Sequence, residues 1–225
     1  MTKFDHARIL TQSLRSNRGF ALTAAPLALA AAGALAIGLG IAAPAPVTVD
    51  VPKEAVGTYE IDLAHSTVAF KIKHLGVAYQ LGRFDKFNGE VKLGADAKAS
   101  SVSVTIDASS VNSNNEQRDQ HLRSQDFLNA KQFPEATFVS TAVAAKDADT
   151  FSVTGDLTLH GEKKSVTFDM DFLGAKDAGE RFGFKAGFYG VLEINRRDFG
   201  IATYPNDVLS DAIELTFAIE SNKKK

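Results

Sequence analysis

The sequence predicts an all-β fold: a single antiparallel eight-stranded barrel with a short helical lid, preceded by an N-terminal hydrophobic helix. Three observations carry this reading. After Gly57 almost every segment alternates apolar and polar residues with a period of two, the pattern of strands with one buried and one wetted face. Turn-forming clusters separate the runs: Asn88-Gly89, Gly94-Ala95-Asp96, Lys146-Asp147-Ala148-Asp149, His160-Gly161 and Asp177-Ala178-Gly179. No long helical period follows residue 57. About eight strands suit a small closed barrel, whose interior holds packed side chains or one ligand.

Taken in order, residues 1–46 are a leader, 47–56 a linker and 57–222 the barrel. In the leader, Lys3, Arg8, Arg15 and Arg18 stand against Asp5 alone, a local charge of +3. The 24 residues from Phe20 to Ala43 then carry no charge. That length can cross a bilayer of about 30 Å as a helix. Ala and Gly dominate it, however, and Pro26 interrupts it, so insertion is weakly driven. Leu27 to Ile41 also fits the h-region of a signal peptide, and Ala43-x-Ala45 a cleavage site, although Pro46 would hinder cleavage. Without an Arg-Arg pair the twin-arginine route is not expected. Both fates, cleavage and anchoring, put the rest of the chain outside the cytoplasm. Pro44, Pro46 and Pro52, with no periodic pattern around them, mark an extended linker.

Within the barrel, Val68, Phe70 and Ile72 face one way and Thr67, Lys71 and Lys73 the other. Val102, Val104 and Ile106, then Phe151, Val153, Leu157 and Leu159, then Val166, Phe168, Met170 and Phe172, and last Ile213, Leu215, Phe217 and Ile219 repeat the alternation. Phe182, Phe184 and Phe188 are expected on one further strand. Most of the 16 phenylalanines fall on the apolar side. The rings fill the barrel, or they line a cavity. Small residues among them, Ala69, Ala142, Ala144 and Ala186, and the lack of inward charge favour an apolar cavity. Such a tunnel suits an elongated lipid, which gains about 0.8 kcal/mol per buried methylene.

Charged residues crowd together only between Ser113 and Ser140. Ser113 with Glu116 fits a capping box, which predicts a short helix over Asn114 to Arg123. Arg118, His121 and Leu122 then share a face. Phe127-Leu128 and Phe133-Pro134 follow as an apolar plug and a turn, before a strand from Ala136 to Val143. Arg118, His121 and Arg123 form either a polar mouth for a phenol, quinone, phosphate or amide head group, or a salt-bridged lid using Glu116, Asp119 and Asp126.

Composition removes several classes of function. No cysteine means no disulfide framework, no Cys-type zinc site and no thiol nucleophile. Residues after 46 carry 21 basic and 26 acidic side chains, so no footprint for nucleic acid exists. His65, His74, His121 and His160 lie in separate segments without an HxH or HxxxH pair, and no metal or cofactor is expected. A Ser-His-Asp arrangement has no Gly-x-Ser-x-Gly elbow to support it. In tight loops such as His74-Leu75-Gly76 and His160-Gly161, an imidazole satisfying local backbone is the simpler role. Asp62 before a strand suits a backbone cap, and Asp198 an ion pair beside Arg196-Arg197 with a bend at Gly200.

The stretch RDQHLRSQDFLNAKQFPEATFVS, Arg118 to Ser140, resembles the central signature of the YceI-like family, R-D-x-H-L-(+)-S-x-x-F followed by an aromatic before Pro and a strand holding F-x-S. Tyr59-Glu60-Ile61-Asp62-x-x-His65-Ser66 with His74-Leu75-Gly76, Gly155 to Gly161 (GDLTLHG), and Asn195-Arg196-x-Asp198-Phe199-Gly200 are similar to its other motifs, in order. None of the four covers residues before about Thr58. The resemblance implies a lipocalin-like barrel that encloses long apolar molecules, polyisoprenoids especially. The expected function is therefore non-covalent carriage, storage or sequestration of a polyisoprenoid or isoprenoid quinone precursor, without enzymatic activity. Candidate ligand-binding residues are Phe70, Ile72, Phe84, Arg118, His121, Arg123, Phe127, Phe138, Phe168, Met170, Phe172, Phe184 and Phe188. Expected partners are that lipid, the membrane if the leader is retained, and a second copy in a homodimer. Two alternatives stay open: an enzyme acting on a lipid head group with His121 as base, and a ligand-free structural or stress protein of the envelope.

Overall fold

The computed structural model describes residues 47–225; the hydrophobic leader lies outside them. Eleven strand segments follow: β1 (Gly57–Ile61), β2 (Thr67–His74), β3 (Ala78–Phe84), β4 (Phe87–Leu93), β5 (Ser101–Asp107), β6 (Val111–Asn112), β7 (Glu135–Ala145), β8 (Thr150–Leu159), β9 (Glu162–Asp177), β10 (Phe184–Asn195) and β11 (Leu209–Lys223). The single α-helix among the described residues, α1 (Glu116–Arg123), sits between β6 and β7.

Three pairs of segments are bent halves of one strand each. β1 and β2 both pair with β11, and both pair with the chain that runs through β3 and β4. β5 and β6 likewise share that neighbour, β5 along β4 and β6 along β3. With the halves joined, eight antiparallel strands run in chain order, and β1 against β11 closes the ring. The breaks fall where a side chain satisfies the interrupted backbone. Asp62 accepts from the Ala64 N–H, and Asp107 from the Ser109 N–H, each capping a single 3-10 turn. Lys185 pins the first break, with Nζ 3.0 Å from both Asp62 and Glu220. The His65 hydrogen bond and Lys185 together hold the Asp62 carboxyl well below the usual carboxylate range.

Alternation decides what each strand buries. On β8, Phe151, Val153, Gly155 and Leu157 face inward; on β9 Phe168 and Phe172 do, and on β10 Phe188, Leu192 and Ile194. The hairpin His74–Val77 turns through Leu75 at φ 51° and Gly76 at φ 69°, the two left-handed positions of a type I′ turn.

Several sequence expectations are corrected. Asn88-Gly89 makes no turn: it lies inside β4, paired with Thr105 and Val104, and the chain only bends before it, at Asp85-Lys86 between β3 and β4. Phe182 is exposed in the loop before β10 rather than aligned with Phe184 and Phe188. The capping box does not form. Asn115 is the N-cap, its side chain accepting from the Arg118 N–H, and Ser113 is turned into a buried cluster instead. Ala69 faces outward between Arg83 and Thr216, and Ala142 and Ala144 are exposed; only Ala186 of that set is buried. Residues 47–56 lie against the barrel, with Val49 and Ala55 buried and Asp50 N–H donating to Ala148 O at 2.7 Å. The fully buried Tyr59 donates its hydroxyl to Ala55 O at 2.6 Å, and burial pushes its phenol up to about 12.

Candidate functional site: an apolar lumen with a polar mouth

The barrel encloses a cavity of about 520 Å³, within the range of small-molecule sites, about 300–1,000 Å³. Phe70, Ile72, Phe84, Phe138, Phe168, Met170 and Phe188 form part of its wall. Phe168 stacks between Phe138 and Phe217, centroids at 5.4 and 5.6 Å. Space survives among so many rings because some of them lie over glycine. The Phe70 ring covers Gly82 on the adjoining strand, and the Phe138 ring covers Gly155; a Cβ on either glycine would collide with the ring. Large residues thus lie back against the wall instead of meeting in the middle. The small inward positions that matter are these glycines, not the alanines.

At one end the wall becomes polar. Arg118, His121 and Leu122 of α1 face the lumen together with Phe127 and Leu128, as the helical spacing predicts. Arg118 donates Nε–H to Ser113 Oγ at 2.7 Å, Nη1 to Gln80 Oε1 at 2.8 Å and Nη2 to Ser113 O at 2.6 Å. Buried Ser113 donates in turn to Asp119 Oδ1, at 2.5 Å from Oγ and 2.8 Å from N. A guanidinium has five N–H groups, so two are left without a partner among the described residues. The Nε2 of His121 is 3.0 Å from Asp126 Oδ2, and its ring packs edge-on against Phe127 at 4.9 Å.

The remaining candidates lie elsewhere. Arg123 turns away, donating to Ser109 O and Val111 O and pairing with Glu116 at 3.4 Å. Phe172 is buried between Phe151 and Phe188 behind the wall. Phe184 lies beneath the Lys223 ammonium, 5.0 Å from its ring centroid.

The opposite rim of the mouth rests on a residue whose role the sequence did not disclose. Arg196, fully buried, spends all five N–H groups on the carbonyls of Ser210, Ile201, Thr203, Tyr204 and Leu209 at 2.7–3.0 Å. Its ion pair is with Asp211 at 2.9 Å, not with Asp198. Burial pulls its guanidinium below its ordinary value, and Asp211 pulls it back. Gly200 closes the turn at φ 73°. The loop so fixed carries Tyr204 and Val208 to the lumen, and Thr203 Oγ1 donates to Asp126 O at 2.5 Å, tying loop to lid. The signal for this in the sequence was an Arg beside a Phe-Gly bend, which cannot say that the partners are carbonyls. The His160 imidazole serves the same loop, Nδ1 lying 3.0 Å from Phe199 O. Asp62, His65 and Glu220 approach one another closely enough to ligate an ion, but the Lys185 ammonium already sits between the two carboxylates, 3.0 Å from each. No helix among the described residues is long and apolar enough to cross a membrane.

Comparison with known proteins agrees with this architecture. The family model of the YceI-like domain matches residues 59–221. A UPF0312 protein of Vibrio cholerae is 44% identical over 146 residues, 64% of this chain and 77% of that one. The crystal structure of Burkholderia cenocepacia BcnA is similar at a TM-score of 0.64 and 30% identity, over 71% of this chain and 98% of that one. A polyisoprenoid binding domain from Saccharophagus degradans shares the fold at a TM-score of 0.59 and 16% identity, over 74% of this chain and 98% of that one. With the family signature spread over the same barrel, lid and mouth, the chain belongs to the YceI-like family.

Proposed function

We propose that this protein holds a long apolar lipid, a polyisoprenoid or an isoprenoid quinone precursor, non-covalently inside the barrel and outside the cytoplasm. The observation that carries the proposal is the apolar lumen of about 520 Å³ that ends in one cationic, hydrogen-bonding mouth at Arg118. An isoprenoid chain would bury its methyl and methylene groups against Phe138, Phe168 and Phe217, and a polar end group would meet the free N–H groups of Arg118. The same fold in a polyisoprenoid binding domain from Saccharophagus degradans supports that ligand class. The uncharged run from Phe20 to Ala43 supports export.

The test is native mass spectrometry of protein purified from its own membrane environment, read as lipid per mole of folded protein. Phe168→Ala should cost about 3–5 kcal/mol of stability and lose lipid. Asp169→Ala removes only an exposed carboxylate paired with Lys146 and should retain it. No bound mass in either wild type or Phe168→Ala would leave a ligand-free barrel and overturn the carrier reading. The His121–Asp126 hydrogen bond resembles a base with its orienting carboxylate and favours one second reading, head-group chemistry. On that reading His121→Ala abolishes turnover of a supplied lipid while leaving retention intact. On ours it changes neither greatly.

A further inference from the structure

We propose that the β2–β3 hairpin is a membrane-docking tip that sets the mouth of the barrel on an anionic bilayer surface; this rests on the lipid-binding reading above. The hairpin exposes what a soluble surface ordinarily hides. Val77 is 85% exposed, Leu81 64%, Tyr79 58% and Leu75 53%, all within seven residues of one another. Contiguous apolar exposure of this kind marks an interaction surface.

Its place in the fold singles out the partner. On the side away from β2, β3 pairs among the described residues only through Arg83 and Phe84, so among them its stretch from Ala78 to Gly82 is a free edge. Leu81 is at once exposed and part of the cavity wall, so the lumen reaches solvent along that edge. The Arg118–Gln80 hydrogen bond spans from the lid to it. The apolar tip therefore sits beside the opening through which a membrane-resident lipid would enter.

Charge agrees. Residues 67–84 hold Lys71, Lys73 and Arg83 and no Asp or Glu. The Lys71 and Lys73 ammonium groups flank the Tyr79 ring, 5.2 and 5.9 Å from its centroid. Lys73 has no carboxylate within ion-pair reach among the described residues, whereas Lys71 is paired with Glu214 and Arg83 with Asp85. Aliphatic residues at a tip, with a tyrosine and lysines behind them, match the layering of a bilayer: acyl boundary, interface and anionic head groups.

Because the chain has no cysteine, Val77→Cys in the full chain gives one attachment site for an environment-sensitive fluorophore. Lys98→Cys, exposed in the short turn between β4 and β5, is the control. Vesicles of phosphatidylcholine with phosphatidylglycerol should shift emission to the blue at position 77 and not at position 98, and the shift should shrink in high salt. An equal response at both positions, or none at 77, overturns the proposal. A shift without vesicles that grows with protein concentration would mean that a second copy covers the edge, and overturns it too. An empty barrel by mass spectrometry beside a vesicle-dependent shift at 77 would remove the carrier reading and leave the docking surface standing. Lys73→Glu with Val77→Asp should slow uptake of polyprenol from vesicles while protein already loaded keeps its lipid.

Discussion

Two arginines reach the lumen of this barrel at the same end, and they are held in opposite ways. Arg196 is wholly buried, and every N–H it owns ends on a backbone carbonyl. Arg118 is half-buried, lines the cavity, spends three N–H groups on Ser113 and Gln80, and has two without a partner among the described residues. A buried cation is tolerated only when its donors are matched and its charge is offset. Arg196 meets both conditions, with Asp211 as counter-ion, and so has nothing left to offer a ligand. Arg118 meets neither fully. One arginine builds the rim; the other is available at it.

The contrast breaks most easily at Arg196. Arg196→Ala would strip donors from five carbonyls and leave Asp211 with only Arg197, at 2.6 Å, to face it. We expect a loss of about 3–5 kcal/mol, the cost of removing one partner from a buried ion pair. Arg196→Lys should recover little, since an ammonium has three donors and no planar fork. Urea unfolding measures both. A loss under about 1 kcal/mol for the alanine variant would mean that the loop holds itself, and that Arg196 is not what sets the rim.

The lid offers a middle-sized test, because Asn115 takes the capping role that the sequence suggests for Ser113. Ser113→Ala removes a hydroxyl from buried Asp119 and an acceptor from Arg118, and should cost about 1–3 kcal/mol. Asn115→Ala removes only a helix cap and should cost about 0.5–2 kcal/mol. Hydrogen exchange separates them: Asn115→Ala should loosen α1 locally, and Ser113→Ala should also release the link to Gln80 on β3. Identical exchange patterns would show that Ser113 acts as a plain cap after all.

The barrel wall was legible in the sequence because a period of two states which side chains are inside, and about eight strands suit a small closed barrel. The mouth was legible in part. Helical spacing placed Arg118, His121 and Leu122 on one face without any knowledge of the cap. What escaped were contacts between segments far apart in the chain. Gly82 and Gly155 carry no side chain for alternation to read, and they prove to be the seats of Phe70 and Phe138. Asn88-Gly89, a strong hairpin signal, is overridden because Gly89 packs closely against Ser103 O and Ile61. Phe172 and Phe184 share the inward period with Phe168 and Phe188, yet alternation gives a face and not a depth, and neither reaches the lumen.

The smallest effect on stability should come from Arg118, and it sharpens the comparison most. Arg118→Gln leaves Ser113 O and Gln80 short of a donor at a half-buried site, which should cost only about 1 kcal/mol. Its effect on binding should be larger and selective. A hydrogen bond from a charged donor is worth about 1.5–3 kcal/mol, roughly tenfold to a hundredfold in affinity. That loss should fall on lipids ending in a carbonyl or phosphate and spare a pure hydrocarbon of the same length, which touches only the wall. Arg118→Lys keeps the charge but not the fork, so a phosphate end should recover more than a quinone carbonyl. Competition between a prenyl phosphate, a quinone and a squalene-type hydrocarbon for the three proteins reads this directly. A uniform drop across all three ligands would place Arg118 with Arg196, as a piece of the rim and not a reader of the head group.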